Sequence, residues 1–367
     1  MNARIAPLRG HALQPARVAL LGTGTVGSAV WARLASWAEQ ASSGHPLAGR
    51  LSLVHVANSR YAISNRRGIA ADTGELLLRN APQESSLEAV GDALSGTGAR
   101  IVIDATASEA VADRHPQWLA SGIHVVTACK LGQGTSLARW RAIQSARQRG
   151  NTQYGDSATV GAGLPLLRTL RELQAGGDRI HAIAGVLSGS LAWLFNHYDG
   201  LRPFSNFVRA AREAGYTEPD PRDDLSGEDV RRKLLILARA AGHPLEADAV
   251  QVESLVPAAL AGLAADAVDA ALPALDAPLR ERYAAAYKHG EKLRFIARLQ
   301  AGGLATVGLE ALPPEHPLAG GAGTDNRVAI WSDRYREQPL VIQGPGAGAE
   351  VTAAALLDDA LRIARGD

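Results

Sequence analysis

The first patterned stretch, Arg17-Val18-Ala19-Leu20-Leu21, is a short apolar run that stops in Gly22-Thr23-Gly24-Thr25-Val26-Gly27. Beyond it the apolar positions of Ser28 to Leu34 recur at helical spacing, so the pattern predicts strand, glycine turn, helix. Further apolar runs at Leu51 to Ala57, Arg100 to Asp104 and His124 to Thr127 alternate with helical segments at Ala110 to Ala120 and Ser136 to Arg149. Such alternation predicts an α/β fold with a doubly wound parallel sheet. Around Gly150 the pattern changes, and a run of small residues from Ala158 to Pro165 leads into a helix over Leu166 to Gln174. A strand over Arg179 to Val186 follows, then Leu187 to Ser190 as a cap for a helix from Leu191 to Tyr198. Pro257 to Leu272 and Leu279 to Gln300 read as Ala-rich helices. Pro339 to Gln343 reads as a strand, Gly344 to Gly348 as a turn and Val351 to Arg365 as a helix.

The 367 residues are enough for two or three domains, and 46% hydrophobic with 20% charged residues is a globular balance that excludes disorder. A net charge of +1 without a basic run removes the drive toward nucleic acid. No apolar run approaches the ~20 residues of a membrane helix, and Met1 to Gly10 carries no apolar segment of a signal peptide, so a cytoplasmic place without a membrane is expected. Cys129 is the single cysteine, which excludes an internal disulfide framework and a cysteine-based metal cluster.

The glycine turn has the spacing of a dinucleotide loop: a tight turn at Gly22, close approach of a pyrophosphate at Gly24, and helix-to-strand packing at Gly27, with the helix N-terminus facing the phosphates. An ordinary glycine turn is the plain alternative, and the strand before and helix after favour the dinucleotide. The second strand ends in Ala57-Asn58-Ser59-Arg60 with no carboxylate for a ribose hydroxyl. NADP is therefore favoured over NAD, with Asn58 among the cofactor-binding residues and Arg60 as partner of the 2′-phosphate, unless Arg60 is merely a solvated loop cation. Thr106 and Lys130 follow the third and fourth strands, where strand ends open onto the ligand crevice of such a sheet. Lys130 there is either a cation beside the nicotinamide or a surface lysine.

The densest polar run is Glu218 to Lys233, with Asp220, Asp223, Asp224, Glu228 and Asp229 close together. Its structural reading is a helix start: prolines 219 and 221 hold an extended lead-in, Ser226 and Asp229 form a capping box, and Asp229 pairs with Lys233 at i,i+4. Its functional reading uses the same face. Asp229 orients the Lys233 ammonium for proton transfer, while Glu218 and Asp224 hold a cationic group of a substrate. Spacing alone does not choose between them.

The stretch Ala211 to Lys233, with Ala-x-x-x-Gly at 211 to 215, an acidic proline turn and Asp-Leu-x-Gly-x-Asp at 224 to 229, resembles the signature of homoserine dehydrogenase. The resemblance extends over the nucleotide loop, His124 to Lys130, Val160 to Pro165, Gly185 to Asn196 and Gly344 to Ala354. It implies reversible oxidation of L-homoserine to L-aspartate 4-semialdehyde in threonine, methionine and isoleucine biosynthesis, with hydride passing to NADP or NAD. By the same resemblance Lys233 exchanges the proton at the substrate oxygen, Asp229 supports it, Glu218 and Asp224 bind the amino group, and Lys130 lies near nicotinamide and substrate. Gly346 approaches the cofactor, and a homodimer is implied. A monovalent cation, sodium or potassium, is implied at the carbonyls of Val160, Ala162 and Leu164. Two positions depart from the pattern: Cys129 stands where the family often has Asn, and Ser157 where it has the cation-binding Glu, with Asp156 one position early.

The organisation expected is a Rossmann domain over 1–150, a catalytic and dimerisation α/β domain over 151–335, and a segment over 336–367 that returns to the nucleotide domain. The signature and tail occupy the whole length, so neither an aspartokinase ahead nor a regulatory domain behind is expected. Two rivals remain at this stage. One is another two-domain amino-acid dehydrogenase, and the other a cofactor-binding homologue without chemistry.

Overall fold

The computed structural model describes residues 14–70, 78, 80 and 83–366. The stretch Met1 to Gly10, read above for a leader, lies outside the described residues. The first unit runs β1 (Ala16–Leu21), α1 (Thr25–Glu39), β2 (Leu51–Ala57), β3 (Tyr61–Ser64), β4 (Gln83–Glu84), α2 (Ala89–Ala93), β5 (Arg100–Asp104), α3 (Glu109–Ala120), β6 (His124–Thr127), α4 (Leu137–Gly150) and β7 (Tyr154–Gly155). Its strands lie in the order β4-β3-β2-β1-β5-β6-β7. From β2 to β7 every pairing is parallel, and the apolar runs that carry β1, β5 and β6 are buried because helices cover both faces. The doubly wound parallel sheet expected from the sequence is present, and β3 and β4 add an antiparallel edge to it. Asn58 makes that reversal, its Oδ1 accepting from the backbone N–H of Arg60 and of Tyr61 at 2.8 Å each.

The second unit holds α5 (Leu166–Ala175), β8 (Ile180–Val186), α6 (Gly189–His197), α7 (Phe204–Glu213), α8 (Pro221–Leu225), α9 (Glu228–Ala240), β9 (Val250–Val252), α10 (Ala258–Ala261), α11 (Val268–Ala271), α12 (Asp276–Lys288), β10 (Lys292–Leu299), β11 (Ala305–Leu312), β12 (Asp325–Ser332) and β13 (Leu340–Pro345). Its sheet has the order β13-β12-β8-β10-β11-β9 and is antiparallel except between β11 and β9. The single helix expected from Leu279 to Gln300 is overturned: the helix stops at Lys288, Gly290 turns the chain with φ +71°, and Lys292 onward is a central strand. Tertiary burial wins there over a helical apolar rhythm, for Phe295, Ile296 and Ala297 are all buried. The helix expected over Pro257 to Leu272 is likewise broken into α10, a 3-10 turn and α11.

Past Pro345 the chain leaves the second sheet, and α13 (Ala349–Arg365) packs on the first. Leu356, Leu357, Ala360 and Ile363 of α13 share one core with Val30, Trp31 and Leu34 of α1 and with Val18 and Leu20 of β1. The opposite face of that sheet is covered by Val111, Trp118 and Leu119 of α3 and Ile143 of α4.

Candidate active site

At the end of β1, Gly22 turns with φ +92°, and a Cβ on Gly27 would stand 1.8 Å from the Gly22 carbonyl oxygen. Only glycine lets α1 start so close to the strand. Gly24 faces open space, with nothing within 4 Å of where its Cβ would be, and no side chain caps the helix it opens. Thr25 and Val26 form the first turn of that helix, so backbone N–H groups stay available for an anion. Beside this loop lies a cavity of about 620 Å³ lined by Gly22, Thr23 and Gly24, by Asn58 and Ser59 after β2, and by Thr106 after β5. Its size suits a cofactor, and the open glycine loop at its wall fits a dinucleotide pyrophosphate. Ser85, Leu87, Ala107 and Ser108 also line it; the first two follow β4, whose pairing the sequence does not reveal. Arg60 is exposed and does not line the cavity, although its neighbour Ser59 does. Thr106 is fixed by donating its hydroxyl to Asp104 Oδ1 at 2.6 Å.

Beneath the crevice Asp104 is fully buried, and its Oδ2 faces His115 Nε2 at 3.1 Å and accepts from Thr127 Oγ1 at 3.0 Å. His115 continues the chain of contacts to the Tyr154 hydroxyl at 2.9 Å. Thr127 Oγ1 in turn accepts from the backbone N–H of Cys129 at 2.9 Å, which fixes the loop that carries Lys130. Burial and then Asp104 push the Cys129 thiol up to about 11, so it stays protonated and unreactive near neutral pH.

The loop after β6 meets α9 through charge. Lys130 Nζ stands 3.3 Å from Asp229 Oδ1, and Lys233 Nζ stands 2.8 Å from Asp229 Oδ2. Lys233 also donates to the Leu187 carbonyl at 2.8 Å, just beyond the end of β8. Burial pushes the Asp229 carboxyl up, but the Lys233 and Lys130 ammoniums outweigh it and hold the group at about 2. One carboxylate thus joins two cations from the two units, and the i,i+4 spacing makes the second contact automatic once α9 forms.

The capping box expected from Ser226 and Asp229 does not form. Gly227 is the N-cap with φ +78°, no side chain bonds the first turn as a cap, and Ser226 Oγ instead accepts from Glu228 N–H at 3.2 Å. A side chain at Gly227 would press on Phe295, so the left-handed turn both ends α8 and frees Asp229 for Lys233. The extended lead-in is also corrected: Pro221 opens α8 at its first position, with Asp220 as its N-cap.

The acidic run divides by partner. Asp220 is engaged by Arg222, Glu228 pairs with Arg231 at 2.5 Å, and Asp223 is exposed. Asp224 turns inward, its Oδ1 accepting from Ser190 Oγ at 2.6 Å and its Oδ2 from the Glu218 backbone N–H at 2.8 Å. Burial raises the Asp224 carboxyl above its ordinary range, with Asp229 and Asp223 adding to the push against the Ser190 and Glu218 hydrogen bonds. Glu218 itself is exposed. Ser190, 34 residues away on α6, carries no local signal that could assign it to this site.

Gly346 lies outside the 620 Å³ cavity and against Asn326 of β12, whose Cγ would be 2.0 Å from an added Cβ. Asn326 is 1% exposed, and both polar atoms of its carboxamide are buried without a partner. At the carbonyl set expected for a cation, Val160 and Ala162 are buried and Ala162 has φ +50°, while the Leu164 carbonyl already accepts from Leu166 N–H at 2.8 Å. The nearby carboxylates are taken: Ser157 donates from N and Oγ to Asp359, which pairs with Arg362, and Asp156 is bound by Arg171 and Gln133. The side chains present therefore do not fit a cation that relies on a free carboxylate.

A family model described as "Homoserine dehydrogenase" matches residues 165–361, and one described as "Homoserine dehydrogenase, NAD binding domain" matches residues 22–154. The chain is 46% identical over 265 residues, 72% of its length, to a bifunctional aspartokinase/homoserine dehydrogenase 2 of Escherichia coli, and spans 33% of that relative. It spans 38% of a bifunctional relative from Zea mays. It is 35% identical to a homoserine dehydrogenase of Schizosaccharomyces pombe, covering 94% of each chain. Among solved structures, a Candida auris protein described as of unknown function superposes with a TM-score of 0.86 at 34% identity, over 95% of this chain and 98% of that one. A hyperthermophilic archaeal homoserine dehydrogenase in complex with NADPH shares the fold, with a TM-score of 0.71 at 19% identity over 96% and 98% of the two chains.

Proposed function

The chain belongs to the homoserine dehydrogenase family, and from that premise we propose that it interconverts L-homoserine and L-aspartate 4-semialdehyde, with Lys233 exchanging the proton at the reacting oxygen. The observation that carries this reading is the pair of ammonium groups, Lys130 and Lys233, on the single ionised carboxylate of Asp229. The dinucleotide, when bound, accepts or returns a hydride at its nicotinamide. Lys233 does the complementary work. An ammonium has three donors, and Asp229 and the Leu187 carbonyl fix two of them, which leaves one direction for a substrate oxygen. In oxidation the neutral amine takes the hydroxyl proton as C4 loses hydride, and the ionised Asp229 stabilises the ammonium that forms. In reduction the same ammonium returns the proton to the carbonyl oxygen. Asp224, held by Ser190, and Glu218 supply the negative charge that receives the substrate amino group, and Lys130 keeps a second positive charge beside the reacting centre.

NADP is the dinucleotide we favour, because the segment Asn58-Ser59-Arg60 offers no carboxylate to a ribose hydroxyl and Arg60 adjoins a lining residue of the cavity. Thr106 and Lys130 would flank the nicotinamide end, and Gly346, beside Asn326, would close over it. The division we propose is 1–150 for nucleotide binding, 151–335 for catalysis and dimerisation, and 336–367 as the returning segment. The protein acts in this proposal as a cytoplasmic homodimer; among the described residues no helix is long and apolar enough to cross a membrane. No step is assigned to a monovalent cation. If one binds, the Val160, Ala162 and Leu164 carbonyls hold it without side-chain charge.

The deciding assay follows NADPH absorbance on mixing L-homoserine with NADP⁺, and repeats it with NAD⁺ and with Na⁺ or K⁺ added. Homoserine-dependent NADPH formation is expected. Its absence in both directions would remove the proposed activity, and an equal or higher kcat/KM with NAD⁺ would remove the NADP preference.

A further inference from the structure

We infer that the protein holds a second ligand site, for a small phosphate-class anion, in the cleft where α4, α5 and α13 meet. A cavity of about 470 Å³ opens there and shares no lining residue with the dinucleotide cavity. Four guanidiniums face it: Arg147 from α4, Arg168 and Arg171 from α5, and Arg362 from α13. Two carboxylates also line it, Glu172 and Asp359.

Those carboxylates are already engaged. Arg168 Nε donates to Glu172 Oε1 at 2.6 Å, Arg362 pairs with Asp359, and Arg171 is tied at 2.5 and 2.7 Å to Asp156. Arg147 is left over. Its Nη1 reaches Gln144 at 2.8 Å, but its Nε is buried with no partner. Burial and then the neighbouring charge of Arg171 lower the Arg147 pKa, and the pull of the nearby Asp156 in the other direction does not offset them. A second cavity of about 390 Å³ shares Arg168 and Arg362 and adds Arg365 together with the carboxylate Asp358, so the cation left over in this region is Arg147 rather than a surplus along α13. Planar guanidinium forks match the oxygens of a phosphate, and Arg147 lines the cavity with no carboxylate bonded to it.

Such an anion would bridge helices from three parts of the chain, α4 of the first unit, α5 of the second and the returning α13. The test is titration calorimetry on the enzyme saturated with NADPH, with inorganic phosphate in one arm and glycerol 3-phosphate in the other. Saturable binding of one equivalent is expected in either arm, and the tighter arm tells a free phosphate from a phosphate ester. Arg147→Gln and Arg168→Gln should each weaken it about ten-fold or more, whereas Arg60→Gln should leave it unchanged. No saturable heat up to millimolar ligand, or a loss that follows Arg60→Gln instead, would overturn the site. Arg168 is at the surface, so its loss should leave the fold intact and that variant decides the matter even where Arg147→Gln fails to fold.

Discussion

Asp229 and Asp156 are both aspartates held below the ordinary carboxyl range by cations, yet the two centres differ in every other respect. Asp229 keeps 41% of its side chain exposed and faces two lysines, each a point charge with donors to spare. Asp156 is 1% exposed and is gripped by the fork of Arg171 and by Gln133, with no oxygen left open. Low pKa alone therefore does not mark a site. Partial exposure and partners with spare donors set the Asp229 centre, for which proton exchange is proposed, apart from the closed clamp at Asp156.

The largest effect that tests this contrast is Lys233→Ala, which should lower turnover by about 10²–10⁴-fold while NADPH binding, read by fluorescence, stays unchanged. Near-normal turnover would place Asp229 with the clamps. Arg171→Ala should do the opposite: it strands a buried carboxylate and costs about 3–5 kcal/mol of stability in denaturant unfolding, with kcat per folded molecule intact. Asp229→Asn keeps the shape and removes the charge, so turnover should fall about 10- to 100-fold, the worth of a hydrogen bond to a charged group. A loss of stability as large as that of Arg171→Ala, with turnover kept, would erase the distinction.

The smallest effect concerns pH. Asp224 must be ionised to hold an ammonium, and its carboxyl is raised, so kcat/KM for homoserine should fall as pH drops through that raised value. The contribution of Asp229 to stability has the other sign: its folded pKa lies below the unfolded value near ~3.9, so it is complete above that value and is lost as pH falls toward about 2. Activity should thus fail in acid before this pair does, with NADPH affinity flat across the limb. Ser190→Ala removes a donor to the Asp224 carboxylate and should move the acid limb to higher pH.

The nucleotide unit was legible because its signals are local. β1, β2, β5 and β6 are apolar runs between helices, and Gly22, Gly24 and Gly27 act on their own neighbours. The Asp229–Lys233 contact was legible for the same reason, one helical turn separating the two. The second sheet was not. β10 follows an Ala-rich helix with the same apolar rhythm, and what makes it a strand is pairing with β8 and β11 far along the chain. Ser190 on Asp224, Arg171 on Asp156 and Asp359 on Ser157 are likewise contacts between distant segments, which spacing cannot encode.

The placement of α13 bears on synthesis. The α1 face of the first sheet is covered by residues up to Ile363, made more than 300 positions after β1 leaves the ribosome. The second unit, contiguous from α5 to β13, can finish its core first. The α1 face of the nucleotide half is therefore completed only by a helix made after the second sheet, whereas its α3/α4 face needs nothing beyond Tyr154.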